Sequence, residues 1–245
     1  MPLSNPLKNR LLEPELMDDL TLDPKRHSQA LRGLERLNLL SRSADILWRP
    51  IQTLAQETRR PLKILDIATG AGDVPIGLWR RAKRRGLRIQ LEGCDINPTA
   101  LEYARGRAGR RGADVRFFQL NPLKDPIPAG YDVIICSLFF HHLQANSSVL
   151  LLKQMASSAK RMVLVNDLRR HPAGLALALF IPRLICRSPI VRADAPGSVR
   201  AAYTTKEISA LAKTAGLKQF TVTLQWPWRF LLAWRKTDDP SLTPA

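Results

Sequence analysis

From Lys63 to Ala82 the chain reads KILDIATGAGDVPIGLWRRA. An apolar strand runs into a turn of small residues and then into a basic helix, with Pro75 near the helix's first turn. A strand feeding a helix through a glycine turn is the opening unit of a parallel sheet, and such sheets need helices on both faces. The rest of the chain keeps that alternation. Further strands are expected at Arg88–Cys94, Val115–Leu120, Tyr131–Ser137 and Arg161–Asn166, after a first strand at Lys63–Ala68. Helices are expected at Val74–Arg85, from about Thr99 to Arg110, and at Ser147–Ser158. The box TTKE (Thr204–Glu207) opens another helix, which ends near Gly216. LKQFTVTLQ and WRFLLAWR flank Trp226-Pro227 and read as an antiparallel pair at the C-terminal edge.

This pattern predicts an α/β domain over residues 61–236. Residues 1–60 form an N-terminal cap: proline-punctuated and irregular to about residue 24, then helical from Lys25 to about Glu57, with Leu31, Leu34, Leu37 and Leu40 on related faces. Pro50 is expected to break that helix. Residues 168–204 connect the fifth strand to the TTKE helix through a strongly apolar helix flanked by arginines at 169, 170, 183, 187 and 192, and 237–245 read as a loose tail.

Charge limits the partners. Lys and Arg number 38 against 21 Asp and Glu, a net charge of +17. Such an excess points to nucleic acid or an anionic membrane surface, with a simply solvated basic surface as the plain alternative. Cys94, Cys136 and Cys186 have neither zinc spacing nor the even count of a disulfide framework. The N-terminal stretch MPLSNPLKNRLLEPELMDDL lacks an apolar signal core. The longest apolar run, Ala173–Cys186, is interrupted by Pro182 and Arg183 and is shorter than the roughly 20 residues of a membrane span. A cytoplasmic protein is expected, at most peripherally attached to a membrane.

Ligands of such sheets bind beyond the carboxyl ends of the strands, which puts the opening turn in the ligand crevice. A dinucleotide fold would show G-x-G-x-x-G there. Instead the turn carries Asp66, Ala68, Gly70, Gly72 and Asp73. Carboxylates at both ends repel phosphate and suit a cationic amine or sulfonium. Asp95 falls just past the carboxyl end of the second strand, where a carboxylate accepts the hydroxyls of a ribose. Ribose and positive charge without phosphate describe S-adenosylmethionine.

The chain resembles the class I S-adenosylmethionine-dependent methyltransferases in four ordered segments: LDIATGAGD, GCDINPTALEYAR, VRFFQLNPLKDPIP and YDVIICSLFFHHL. The resemblance implies a Rossmann-like, seven-stranded, mostly parallel sheet with a helical lid inserted at about residues 168–204. It also implies cofactor contacts at Asp66, Ala68, Thr69, Gly70, Gly72, Asp73, Asp95, Ile96, Asn121, Pro122 and Ser137. Ala68 stands where a glycine is more usual. Asn121 stands at the place of the family's adenine-contacting acid, and its amide can still hydrogen-bond.

The acceptor is less constrained. SLFFHHL after the fourth strand supplies aromatics and histidine, which suits an apolar or aromatic acceptor. The segments EPELMDD, NDLRR and SVRAAYT resemble methyltransferases of bacterial polyketide and quinone pathways. That likeness implies O-methylation of a phenol or hydroxyquinone, with or without an alkyl tail. C-methylation of a quinone precursor, methylation of RNA and a non-catalytic cofactor-binding role stay open. A phenol needs help to lose its proton at neutral pH. His141 is the expected base and Asp167 the second candidate, against a purely structural role for both histidines. His142, Arg200 and Tyr203 are expected at the acceptor. No Asp/Glu/His cluster shows metal spacing, so a metal-independent reaction is expected.

Overall fold

The computed structural model describes residues 7–18, 21–40, 42–186 and 188–236. The expected tail (237–245), the first six residues and Arg187 of the lid lie outside the described residues.

Seven strands form one sheet: β1 (Leu62–Ile67), β2 (Ile89–Asp95), β3 (Val115–Gln119), β4 (Val133–Ser137), β5 (Met162–Leu168), β6 (Thr221–Gln225) and β7 (Arg229–Arg235). Their order is β3-β2-β1-β4-β5-β7-β6, and only β7 runs against its neighbours β5 and β6. The reversal of order between β1 and β4 opens a crevice above their carboxyl ends.

Each central strand is apolar on both faces because both faces are covered. In β1, Leu65 and Ile67 join a core with Leu151 and Met155 of α5 (Ala145–Ser158) and with Ile208 of α8 (Thr205–Thr214). Leu62 and Ile64 point the other way, toward Leu47 and Ile51 of α2 (Ser43–Glu57) and Leu78 of α3 (Asp73–Arg85). The period-2 alternation of a strand makes this division automatic. A smaller core joins α3 and β3 to α4 (Pro98–Arg110) through Ile76, Leu101 and Phe117. Cys94, Cys136 and Cys186 are buried free thiols.

Two expectations for the helices fail. The helix expected from Lys25 to Glu57 is two helices, α1 (Pro24–Leu40) and α2, and Pro50 lies inside the second. The break falls at Arg42, whose φ of 55° is left-handed. Proline costs α2 a hydrogen bond, but its buried stripe of Ile46, Leu47, Ile51 and Leu54 holds it against the sheet. In the lid, the sequence indicated one apolar helix and the structure has two: α6 (Pro172–Ile185) and α7 (Pro189–Ala201). The second carries Pro196 in its interior, which masked its helical pattern. At its start Ser188 caps Val191 N, and Pro189 occupies the first turn. The capping box at Thr204 and Glu207 forms as expected.

The N-terminal segment is tied to the lid. Leu16 N and Met17 N donate to the Asp194 carboxylate on α7, and the Ser198 hydroxyl donates to Glu15. Arg10 donates to the carbonyls of Ala201 and His141 and lies 3.9 Å from the Tyr203 ring centroid. The segment is therefore fastened across the crevice mouth.

Candidate active site

A cavity of about 550 Å³ occupies the crevice. One part is built by the sheet. Ala68, Thr69 and Gly70 follow β1, Asp95 and Ile96 close β2, and Ser137 ends β4. The other part is walled by α6 (Leu177, Ala178, Ile181), by α7 (Val191, Ser198), and by Trp226 and Trp228 at the tip of the β6–β7 hairpin. Ala68 and Leu138 on the rim hold φ values of 53° and 59° without being glycine, a strained backbone of the kind found at ligand sites.

Asp66 is completely buried. Thr69 Oγ1 donates to its Oδ2 at 2.7 Å, while its Oδ1 has no hydrogen-bond partner. Burial pushes its pKa up to about 7; the Thr69 hydrogen bond opposes this, and the Asp95 and Asp73 charges add to it. An orphaned carboxylate oxygen beside a cavity fits a cationic group. Asp95 Oδ2 accepts from Gly70 N at 2.8 Å and its Oδ1 from Asn97 N at 2.9 Å, so the carboxylate is held at the rim of the cavity. Each carboxylate oxygen has further lone-pair capacity for ribose hydroxyls. A Cβ built on Gly70 meets nothing within 4 Å, so the backbone there faces open space. The residues present fit S-adenosylmethionine.

The remaining expected cofactor residues divide. Pro122, Ile96, Ser137 and Asp73 line the cavity. Asp73, however, receives Arg107 Nη1 at 2.5 Å, and the same guanidinium reaches Ala71 O and Glu35. Its charge therefore pins the turn to α4. Gly72 does not line the cavity. It is needed for packing, since at φ 71° a Cβ would sit 2.9 Å from Phe117. Asn121 also lies outside the lining, because its side-chain oxygen accepts from Leu123 N and is used locally.

The polar end of the cavity is the expected base and its runner-up joined together. His141 Nδ1 donates to Asp167 Oδ1 at 2.7 Å, and His141 N donates to Asp167 Oδ2 at 3.1 Å. In the neutral ring, an Nδ1 proton donated to Asp167 leaves the lone pair at Nε2. Asp167 does not line the cavity; it sits behind His141 and orients it. Burial raises the Asp167 pKa, but His141, the Leu168 N–H and the nearby His142 together outweigh it and hold the carboxyl below the usual carboxylate range. Arg229, also buried and lining the cavity, donates to Ser43 Oγ; burial lowers its pKa to about 10, and the Asp167 charge opposes that.

His142 lines the cavity beside His141, with ring centroids 4.2 Å apart. Tyr203 and Arg200 do not reach the cavity lining. The Tyr203 hydroxyl donates to Leu143 O at 2.8 Å and lies 3.0 Å from Ser148 Oγ, so it is used inside the core. Arg200 lies in the last turn of α7, and its carbonyl accepts from Leu11 N.

Glu15 is the residue sequence reasoning missed. Its carboxylate lies 3.8 Å from His141 Nε2 and 3.9 Å from His142 Nε2, beyond hydrogen-bond length. One donor atom from each of the three lies within 4.8 Å of the others, so among the described residues this group has donors able to hold a divalent cation. Sequence spacing, which pointed to no metal, gave no sign of a group assembled from such distant segments.

The fold is similar to that of S-adenosylmethionine-dependent methyltransferases of known structure. Residues 64–161 match the methyltransferase domain family. A stretch of 105 residues is 32% identical to the demethylmenaquinone methyltransferase of Deinococcus radiodurans, covering 42% of this chain and 42% of that protein. Another of 82 residues is 33% identical to the ubiquinone/menaquinone biosynthesis C-methyltransferase UbiE of Rickettsia bellii, covering 34% of this chain and 31% of that protein. The match thus spans less than half the length of these relatives. The plantazolicin methyltransferase BpumL, solved with S-adenosylhomocysteine, shares the fold at a TM-score of 0.66 and 18% identity, over 89% of this chain and 92% of that one.

The cofactor half yields a direct expectation. Asp95→Ala removes acceptors for two ribose hydrogen bonds, each worth up to about 3 kcal/mol with a charged acceptor. Calorimetry should show S-adenosylmethionine affinity at least about tenfold weaker. The wild type should also bind less tightly as pH falls below about 7, where Asp66 takes up a proton and loses the charge that suits a cation. Unchanged affinity in folded Asp95→Ala protein would remove Asp95 from the ribose.

Proposed function

We propose that the protein methylates a small aromatic acceptor, a phenol or hydroxyquinone carrying an apolar tail, at a ring oxygen. The observation that carries this reading is the His141–Asp167 pair, with His141 lining a cavity whose part away from the cofactor turn is walled by Leu177, Ile181, Val191 and the tryptophans of the hairpin. An aromatic ring fills the apolar part and brings its hydroxyl to His141 Nε2. His141 accepts the hydroxyl proton there, and Asp167 behind it stabilises the imidazolium that forms. When bound, S-adenosylmethionine supplies the methyl group as an electrophilic sulfonium, and Asp66 and Asp95 are the residues that would hold it. The apolar wall excludes water, which would otherwise solvate the phenolate and blunt its attack.

C-methylation of a quinone precursor is the second reading, favoured by the C-methyltransferase among the relatives. The same deprotonation serves it, because a phenolate is nucleophilic at its ortho carbon as well as at oxygen. Methyl-labelled cofactor, incubated with alkylresorcinols, hydroxyquinones and bulk RNA, tests both. Label is expected on the small aromatics, with the bond identified by mass spectrometry of the product. A base at His141 works without metal, so dialysis against a chelator should leave the rate unchanged. Labelled RNA alone would overturn the reading, and loss of activity restored by a divalent cation would turn Glu15, His141 and His142 into ligands.

A further inference from the structure

Helix α6 is apolar along nearly all its length, yet only Gly174 and Pro182 are buried. Leu177, Phe180, Ile181 and Leu184 follow i, i+3, i+4, i+7 spacing and form one apolar stripe; Leu177 and Ile181 line the cavity, while Phe180 and Leu184, one turn apart on its open edge, are 66% and 79% exposed. Large apolar side chains left in water as neighbours on one ridge mark an interaction surface. The charges around them are positive. Arg183 stands between the two, and Arg192 of α7 reaches back to the carbonyls of Arg183 and Cys186. Neither arginine has a carboxylate within ion-pair distance among the described residues. At the cavity, Trp226 on the hairpin tip is 66% exposed. Among the described residues no helix is long and apolar enough to cross a membrane, so an embedded position is not on offer to α6.

We propose that the exposed edge of α6 docks in the plane of an anionic lipid bilayer, with Phe180 and Leu184 entering the acyl boundary and Arg183 and Arg192 meeting headgroup phosphates. Apolar residues flanked by arginine, on a chain of net charge +17, are the chemistry of interfacial attachment. A protein partner would need carboxylates opposite both arginines and an apolar slot between them; a lipid surface offers the same pairing everywhere, without shape matching. The stripe then meets bilayer at its exposed edge and cavity beside it, so a lipid-tailed acceptor passes from membrane to His141 along continuous apolar surface. The route to the cavity rests on the proposed function, whereas attachment does not.

The test is co-sedimentation of the full chain with vesicles of phosphatidylcholine alone and of phosphatidylcholine mixed with phosphatidylglycerol. Wild type should bind the anionic vesicles and release as salt rises. Phe180→Glu with Leu184→Glu should lower partitioning about tenfold or more. Arg183→Ala and Arg192→Ala should each lower it about fivefold, on anionic vesicles only. None of these side chains lines the cavity, so calorimetric S-adenosylmethionine affinity should match wild type and certify each variant as folded. Equal binding to both vesicle types, no binding, or wild-type partitioning of the Glu variant would overturn the proposal. A dimer in solution that the Glu variant dissociates would overturn it too, by making the face a contact between copies. Attachment without turnover of any tailed acceptor would leave the docking standing and fail the proposed function instead.

Discussion

His141→Ala should lower kcat on a phenolic acceptor by about 100- to 10,000-fold, the usual contribution of a positioned base. Cofactor affinity should be nearly unchanged, because Asp66, Gly70 and Asp95 belong to a separate part of the cavity. The main chain at His141 also stays anchored: its N–H is held by Asp167 and its carbonyl by Arg10, and neither contact needs the imidazole. The acceptor's own acidity gives the internal control. A hydroxyquinone already ionised at neutral pH needs no base, so its loss should be far smaller than that of an alkylresorcinol, whose hydroxyl has a pKa near 10, about that of any phenol. Full kcat on the less acidic phenol would make His141 structural and move the search to Glu15 and His142, the other polar groups at that end. An equal loss on both acceptors would mean that the ring holds the substrate in place without taking its proton.

What the sequence disclosed about this site depended on how locally each feature is specified. The β1 turn, the Asp95 position and the capping box at Thr204 are built from residues within a few positions of one another, and all three are in place. The pairing of His141 with Asp167 was half visible. Each was a candidate because it follows a strand's carboxyl end, but the hydrogen bond exists only because β4 and β5 are neighbours in register. Glu15 was invisible for a stronger reason. Its segment has no hydrophobic period, and the contacts that bring it to the cavity come from Asp194 and Ser198 of α7, a helix whose internal proline hid it. Tyr203 shows the opposite failure. Being next to a motif suggested the acceptor, while the turn into α8 aims its ring inward, where Ser148 and Leu143 engage the hydroxyl. Asn121 fails similarly, since a short amide side chain at a turn satisfies its own backbone first.

Asp167→Asn is the sharper probe, because it changes one atom and should cost nearly as much as removing the histidine. Both oxygens of Asp167 are acceptors in the structure: Oδ1 takes His141 Nδ1 at 2.7 Å and Leu168 N at 2.6 Å, and Oδ2 takes His141 N at 3.1 Å. An amide has only one oxygen to offer. Turned one way, its NH2 faces the main-chain N–H of His141, and a buried donor is left unpaired at about 1–3 kcal/mol. Turned the other way, its NH2 faces Nδ1 and forces the imidazole into the tautomer with the proton on Nε2, which cannot accept one from the acceptor. A carboxylate-to-amide change behind a catalytic histidine elsewhere costs about 10⁴ in kcat, so a drop of about 10² to 10⁴ is expected here. A merely structural aspartate would lower the melting temperature and spare the rate per folded molecule. A positioning aspartate should also shift the acid limb of the kcat profile to lower pH, because the imidazolium loses its stabilising carboxylate. Stability carries its own signature. Asp167 has a folded pKa below the ordinary carboxylate value, so its stabilisation is present above about pH 4 and is lost as pH falls through the folded pKa. The gap in melting temperature between wild type and Asp167→Asn should therefore narrow in acid, and a gap that stays constant there would mean the carboxylate is not charged against His141.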